Sequence, residues 1–332
     1  MDLDWSEEQQ VLRDMVAGVC REYAPLDVVR SMEDDPRGYP DALWKQLGEL
    51  GLLGILIPED FGGAGQGMLE AVILYEELGR ALAPTPHFPS CVMAARCLLA
   101  AGSEAQQREW LPKIASGEAI LTPAWHEPER GFGPKGVALR AEPAGDGFRL
   151  TGCKRHVLFA RAATRLLVLV RTGEGEEDVD LFLVDPGAEG VTLTQQKSLA
   201  SDTQYRVDLD GVEVSEADRI GPARSGWRTW DAAMMDGIVL LAAQAMGGAE
   251  RALEITVQYA KDRTQFGKPL GAFQAIAHYL ADATTAVEGG RTLVWEAAWA
   301  RANGRPVDKL APMAKLFACD TYRDVTAMCQ QV

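Results

Sequence analysis

Hydrophobic residues in the first third of the chain recur every three or four positions, which is the spacing of amphipathic α-helices. This period is found after Ser6 and in the ranges 39–50, 69–82, 90–100 and 103–114. Ser103 is followed three residues later by Gln106, a pattern typical of a capped helix start. The sequence therefore predicts that residues 1–117 form an N-terminal α-helical domain.

The hydrophobic period changes to two after Ile120, which is the period of β-strands. Short apolar runs follow at 147–150, 165–170, 179–184 and 205–209. Turn-forming stretches rich in Gly and Asp separate these runs. The pattern predicts that residues 118–222 form a β domain, an antiparallel barrel or sandwich of about seven strands.

The helical period returns at Trp227 and continues through the last third of the chain. One long helix is predicted to end near Asp262, a second spans 273–303, and a third begins near Val307. Residues 223–332 are therefore predicted to form a C-terminal domain of the four-helix-bundle type. Long helices of this kind bury wide apolar faces, often against a second subunit. The three segments together predict an α+β fold.

Composition narrows the classes of function. The chain of 332 residues has a formal net charge of −15, which argues against nucleic acid as a partner because phosphate backbones bind basic surfaces. The six cysteines lie far apart and form no CxxC pair, so we expect reduced thiols and no metal site. No apolar run approaches the ~18 residues of a membrane helix and no secretory signal is seen, so we expect a cytoplasmic protein with no membrane span.

One stretch between two predicted helices carries candidate chemistry. It runs from Arg263 to Gln274 and reads RTQFGKPLGAFQ. A guanidinium, a phenyl ring and an amide on a Gly/Pro turn suit an anionic, aromatic cofactor. The other interpretation is structural, with Phe266 and Phe273 as core anchors and Arg263 as a solvated cation at a helix end. The stretch alone leaves both interpretations open.

Three motifs resemble those of the acyl-CoA dehydrogenase family. They are the RxxFG stretch at Arg263, the passage from Gly51 to Gly63 that ends in PEDFGG, and the segment from Trp110 to Glu118. Together with the order helical domain, β domain and helical bundle, the resemblance covers essentially the whole chain. It implies the acyl-CoA dehydrogenase fold, FAD as cofactor, an acyl-CoA substrate, a tetramer built as a dimer of dimers, and an electron-transfer flavoprotein as partner.

The resemblance also implies roles for residues of the RxxFG stretch. In family members these residues reach across a subunit interface. Arg263 would approach the flavin pyrophosphate, Phe266 would lie beside the flavin, and Gln274 would lie near the phosphates of the neighbour's FAD. All three residue types are intact in this sequence.

The cofactor-facing positions of the β domain differ from the family pattern. The resemblance expects Thr, Trp and Thr where this chain has His126, His156 and Leu158. These three residues are therefore candidate FAD contacts with altered chemistry. His126 and His156 are either a new acid/base pair or ordinary packed or surface histidines, and the sequence leaves both possibilities open.

The resemblance does not supply the catalytic glutamate. Family enzymes take the α-proton of the acyl-CoA with a Glu while a hydride passes from the β-carbon to the flavin. One family position for this Glu falls on Gly237, and the next, where an Arg often meets CoA, is Ile238. Asp236 is the adjacent candidate, although a shift of one residue turns a helical side chain by about 100°. The other Glu position would lie beyond Val332, so we expect the C-terminal domain to be incomplete.

These observations predict an FAD-dependent acyl-CoA dehydrogenase chain that completes a flavin site together with a partner chain. It resembles the non-identical subunits of heteromeric family members, and we expect a role in fatty acid or steroid side-chain degradation. Two alternatives stay open. One is a self-sufficient homotetramer whose Glu lies beyond residue 332, and the other is a non-catalytic subunit that binds acyl-CoA or supports assembly.

Overall fold

The computed structural model describes residues 5–332. Its α-helices are α1 (Glu7–Tyr23), α2 (Leu26–Ser31), α3 (Asp41–Glu49), α4 (Met68–Arg80), α5 (Ala95–Ala101), α6 (Glu104–Ser116), α7 (Gly226–Asp262), α8 (Gln274–Ala302) and α9 (Leu310–Cys329). Its β-strands are β1 (Leu121–Ala124), β2 (Arg140–Ala144), β3 (Gly147–Leu158), β4 (Arg165–Arg171), β5 (Val179–Val184), β6 (Val191–Gln196), β7 (Gln204–Ser215), β8 (Arg219–Ile220), β9 (Thr264–Gln265) and β10 (Lys268–Pro269). Helices precede and follow a block of strands, which confirms the predicted α+β class.

The eight strands β1 to β8 belong to a compact unit made of residues 27–66 and 84–234, here called the sheet unit. Their order is β6-β7-β3-β2-β4-β5-β8, with β1 also paired to β4. Most pairs are antiparallel, but β1 is parallel to β4, and β2 meets β4 in parallel at Arg140 and Arg171. The predicted antiparallel domain is thus corrected to a mixed sheet. The parallel pair arises because the β2–β3 hairpin is inserted between β1 and β4, so that β4 returns beside β1 in the same direction.

The core of the sheet follows from the apolar runs in the sequence. Every residue of β5 is buried, and so are the five central residues of β4. Strands β3 and β7 instead alternate between buried and more exposed positions, as expected when one face of a strand packs inward. Phe182, Val207 and Leu209 belong to the same buried cluster.

The second compact unit, here called the helical unit, is made of residues 5–26, 67–83 and 235–332. Its helices approach closely at two glycines. A Cβ atom at Gly247 would lie 1.9 Å from the carbonyl oxygen of Glu76, and one at Gly79 would lie 2.0 Å from that of Gln244. The backbones of α4 and α7 therefore meet with no room for a side chain. Burial raises the pKa of Glu76, whose carboxylate accepts a hydrogen bond from Trp295 Nε1 at 2.9 Å.

Helix α7 corrects one sequence expectation. Among residues 5–332 it is the helix whose length and apolar composition would suffice to cross a membrane, although no run of that length was predicted. About two thirds of its most apolar window (67%) is buried inside the protein, which is the pattern of a core helix.

The predicted helix at 90–100 is split into two kinds of helix. It starts as a π-helix, Phe88–Ala94, and continues as α5. Ser90 Oγ accepts a hydrogen bond from the backbone N–H of Leu121, which ties this segment to β1. His87, just before it, is fully buried with Nε2 3.1 Å from the carbonyl oxygen of Leu52, and burial lowers its pKa from 6.5 to about 4.

Candidate functional site

Two histidines that are 30 residues apart in the sequence meet in the sheet unit. His126 follows β1, and His156 lies near the end of β3; their ring centroids are 5.5 Å apart. Partial burial and the nearby His156 lower the pKa of His126. We call the surface formed by Trp125, His126, His156 and Leu158 the β-domain wall. The structure therefore brings His126 and His156 together, and Leu158 lies two residues beyond His156 at the end of β3.

A β-bulge sets the direction of His156. The register between β3 and β7 shifts between Lys154 and Val157, and His156 has a φ of 55°. Such bulges re-aim a side chain that would otherwise follow the strand alternation. The His156 ring is then held by Gln204, whose Oε1 lies 2.8 Å from His156 Nδ1. Leu158 is placed by its backbone, whose carbonyl oxygen accepts a hydrogen bond from Thr122 Oγ1 at 2.6 Å.

A buried ion pair is formed by two residues that are close to the histidines in the sequence. Glu127 follows His126, and Lys154 lies two residues before His156. Lys154 is completely buried, and its Nζ is 2.7 Å from Glu127 Oε1. Burial lowers the pKa of Lys154, an effect that the Glu127 carboxylate opposes. The same carboxylate accepts hydrogen bonds from the backbone N–H groups of Ala138 and Leu139. Glu127 therefore joins the segment after β1 to β3 and to the segment before β2.

An aromatic ring covers His126. The Phe132 ring is stacked on the His126 ring, with centroids 4.9 Å apart and an interplanar angle of 15°. It also lies 5.9 Å from Trp125, which in turn contacts Trp230 at 5.4 Å. Phe132 is nevertheless 71% exposed, so its contacts are one-sided.

The position expected for the catalytic base lies in the helical unit, on α7. Gly237 has no side chain and Ile238 has no polar atom. Asp236 is buried, and its two carboxylate oxygens accept hydrogen bonds from Arg301 Nε at 2.5 Å and from Arg301 Nη2 at 3.2 Å. Proton abstraction by Asp236 would first have to break this bidentate pair. The geometry therefore assigns Asp236 a structural role.

The stretch Arg263–Gln274, here called the Arg263 hairpin, contains β9, β10 and the start of α8. Phe266 stands at its tip with a φ of 52° and is 92% exposed. Arg263 and Gln274 are exposed too, and within residues 5–332 neither side chain forms a hydrogen bond or an ion pair. Phe273 is held from inside the hairpin by Lys268, whose Nζ lies 4.2 Å from the ring centroid. The alternative interpretation of Phe266 as a core anchor is therefore wrong, because its ring is 92% exposed.

The outer face of α8 and α9 carries an apolar groove of about 690 Å³. Met313, Leu316 and Phe317 line it with side chains that are 56%, 64% and 43% exposed. A cluster of exposed apolar side chains of this kind is suited to burial against another surface.

The Arg263 hairpin and the β-domain wall differ in how well their residues fit an FAD group. The Arg263 hairpin offers a free guanidinium, a ring and an amide, which are suitable donors and contacts for a pyrophosphate and a flat ring system. On the β-domain wall the hydroxyl and indole groups expected from the resemblance are replaced by His126, His156 and Leu158. There the His126 ring is already stacked on Phe132. The wall of this chain does not fit a flavin as the family pattern describes it.

Sequence reasoning missed two features of the wall. Phe132 lies between Gly131 and Gly133, and a lone aromatic residue in a glycine-rich loop was the signal that could have found it. The Glu127–Lys154 pair has no local sequence signal, because its partners are 27 residues apart and on different segments.

Comparison with known proteins gives a consistent result. The sequence models of the acyl-CoA dehydrogenase N-terminal and C-terminal domains match residues 6–118 and 224–332. Probable acyl-CoA dehydrogenase YngJ of Bacillus subtilis is 30% identical over 100% of this chain and 88% of its own length. The caffeyl-CoA reductase-Etf complex subunit CarC of Acetobacterium woodii is 28% identical over 99% of this chain and 88% of its own.

A solved structure gives the same result for the fold. The ChsE4-ChsE5 complex from Mycobacterium tuberculosis contains a chain that is 31% identical, with a TM-score of 0.88. The match covers 99% of this chain and 87% of that chain. The similarity therefore extends through the helices, the sheet and the C-terminal helices.

Proposed function

Because the chain belongs to the acyl-CoA dehydrogenase family, whose members are flavin oxidoreductases that carry FAD, we propose that it acts in the FAD-dependent α,β-desaturation of an acyl-CoA thioester. In this proposal it is a subunit that completes a flavin site together with a partner chain. FAD supplies the hydride acceptor. The work of this chain is to bind and orient the cofactor.

The Arg263 hairpin is the observation that carries the proposal. Its guanidinium and amide are exposed and have no partner among residues 5–332, and Phe266 is held outside the core at a left-handed φ. A left-handed φ at an aromatic residue whose ring is exposed to water is unfavourable for an isolated chain. These groups gain favourable contacts if the hairpin reaches the pyrophosphate and flavin of a neighbouring subunit.

The partner is proposed to be a related but non-identical chain. Gly237, Ile238 and the ion-paired Asp236 leave α7 without a free carboxylate at the expected position. The partner would then supply the base. Two comparisons support an assembly: one solved relative is a complex of two named chains, and CarC is part of an Etf complex. We accordingly propose a dimer of dimers that passes electrons to an electron-transfer flavoprotein.

The apolar groove between α8 and α9 supports the same proposal. A face with Met313, Leu316 and Phe317 exposed is unfavourable in water and is suited to burial in an oligomer. The alternative of a self-sufficient homotetramer, with its Glu beyond residue 332, uses the same surfaces. The choice between the two therefore rests on where the base is.

Arg263→Ala tests the contribution of the hairpin to the flavin site. In the purified oligomer the substitution should weaken FAD binding by about 10- to 150-fold, because a charge-assisted contact of about 1.5–3 kcal/mol is lost. Flavin absorbance per protein after matched dilution measures the effect. Arg263→Lys keeps the positive charge but loses the planar, bidentate guanidinium. Its FAD affinity should lie between those of the parent and Arg263→Ala. An unchanged FAD-to-protein ratio in Arg263→Ala would remove the hairpin from the flavin site.

Anaerobic mixing with acyl-CoA shows which assembly contains a complete active site. The chain alone and the chain with a paralogous partner are mixed with short, long and steroid-derived acyl-CoAs while flavin bleaching is followed. Bleaching that requires the partner supports the proposal, because proton transfer by a positioned base contributes roughly 10²- to 10⁴-fold. Rapid bleaching by the lone chain would favour the homotetramer. A chain that never carries flavin, with or without the partner, would favour a non-catalytic assembly subunit.

A further inference from the structure

The loop that carries Phe132 is anchored on its C-terminal side and closes on itself. Beyond the Phe132 ring, Arg171 donates hydrogen bonds to the carbonyl oxygens of Pro134 at 2.6 Å and Val137 at 2.7 Å. Within the loop, a Cβ at Gly136 would lie 1.9 Å from the carbonyl oxygen of Gly131, so the backbone folds tightly on itself. Phe132 is therefore held at a defined position although most of its ring faces solvent.

The ring at that position covers the wall. Its face is almost parallel to His126 at a centroid distance of 4.9 Å, which is the separation that a second flat ring would need. Rings continue on both sides, with Trp125 next to Phe132 and His156 next to His126. A flavin ring therefore cannot stack on the same face of His126 while Phe132 occupies it.

We propose that Phe132 is a plug that covers His126 and closes the β-domain wall of this chain to a flavin ring. The chain then seats no FAD on its own wall and contributes only the Arg263 hairpin to a flavin held by its partner. This inference rests on the proposed function. It adds that the flavin is held at the partner's site and not at the β-domain wall of this chain. It makes Phe132 the residue that determines flavin stoichiometry.

The first test asks whether Phe132 covers His126 in solution. The chain has four histidines, so their ring C–H signals can be assigned in NMR spectra by single substitution. In Phe132→Ser the His126 signal should move because the ring current of Phe132 is lost, whereas Phe132→Tyr should leave it in place. The signals of buried His87 and exposed His278 should be the same in both variants. An unmoved His126 signal in Phe132→Ser would overturn the proposal.

The second test uses FAD itself as the probe, on the full chain. Flavin retained after desalting is measured together with quenching of tryptophan fluorescence, since Trp125 and Trp230 lie in the same ring cluster. The parent and Phe132→Tyr should retain little FAD. Phe132→Ser combined with His126→Thr should retain at least about tenfold more, because the uncovered wall regains a hydroxyl.

Two results would contradict the proposal. One is a parent chain that retains one FAD per chain with strong tryptophan quenching. The other is a folded double variant, checked by circular dichroism, that retains no more FAD than the parent. Neither result depends on the Arg263→Ala experiment, which reports the hairpin alone, so the plug and the shared flavin site can fail separately.

Discussion

The buried Glu127–Lys154 pair should make Lys154→Met strongly destabilising. At a separation of 2.7 Å and an effective dielectric constant of 20, the two charges attract by about 6 kcal/mol, while the burial of each ion costs several kcal/mol. The pair as a whole is therefore close to balance. Removal of one charge leaves the other buried and unpaired, and such changes cost about 3–5 kcal/mol.

The magnitude is supported by how completely the pair is enclosed. Lys154 has no exposed surface, and Glu127 is 6% exposed, so water cannot replace the lost ammonium. Methionine has nearly the volume of the lysine stem, which keeps the packing term small. In Glu127→Gln/Lys154→Met, an amide oxygen can still accept a hydrogen bond from Ala138 or Leu139, and the cost should fall to about 1–2 kcal/mol.

Urea unfolding at pH 7, followed by far-UV circular dichroism, measures these free energies. The matched control is Lys135→Met, which removes an exposed partner of Glu176 in the same region. Exposed pairs contribute about 0–1 kcal/mol, so the control should remain near the parent. The reasoning is refuted if Lys154→Met loses less than about 1 kcal/mol, or if the double variant is no more stable than the single one.

Two further predictions concern stability. Because burial lowers the pKa of His87 to about 4 in the native state, the unfolded chain binds a proton below pH ~6.5 while the native chain does not. Stability should therefore fall as the pH drops, by about 1.5 kcal/mol between pH 6.5 and 5. Urea unfolding at both pH values should show this loss in the parent and not in His87→Gln, and equal losses in both would contradict it. Gly247→Ala should cost at least about 1–3 kcal/mol by thermal or urea unfolding, because its Cβ would meet the Glu76 carbonyl oxygen at 1.9 Å. Gly289→Ala, whose nearest neighbour would be Phe317 at 3.9 Å, is the control and should be neutral or slightly stabilising.

The helices were predicted well because their signals are local. The predicted helix at 103–114 is α6, Glu104–Ser116, and the capping pair Ser103 and Gln106 is formed as expected. Hydrophobic period and cap residues lie within one or two turns of each other, so a single sequence contains them completely. The same holds for the Arg263 hairpin, whose turn residues are adjacent.

The strand pairing and the contacts of the β-domain wall were harder to predict, because they join residues that are distant in the sequence. A period of two says that a strand has an inner face, but it does not say which strand lies beside it, so the parallel pairing of β1 and β4 was not predicted. The stacking of Phe132 on His126 likewise depends on the path of a loop. Family resemblance gave the positions of His126 and His156, and only the fold showed that they touch.

At the Arg263 hairpin, the stability of the chain and its contribution to cofactor binding depend on different residues. Within residues 5–332 the side chains of Arg263 and Gln274 form no hydrogen bond or ion pair, so a flavin-free variant that loses them should fold and melt like the flavin-free parent. Screening by yield or melting temperature would score such a variant as harmless. Under the proposed function, its defect would appear in the neighbouring polypeptide, as weaker retention of that chain's flavin. Genetic damage at this turn would therefore be read most clearly by complementation between chains.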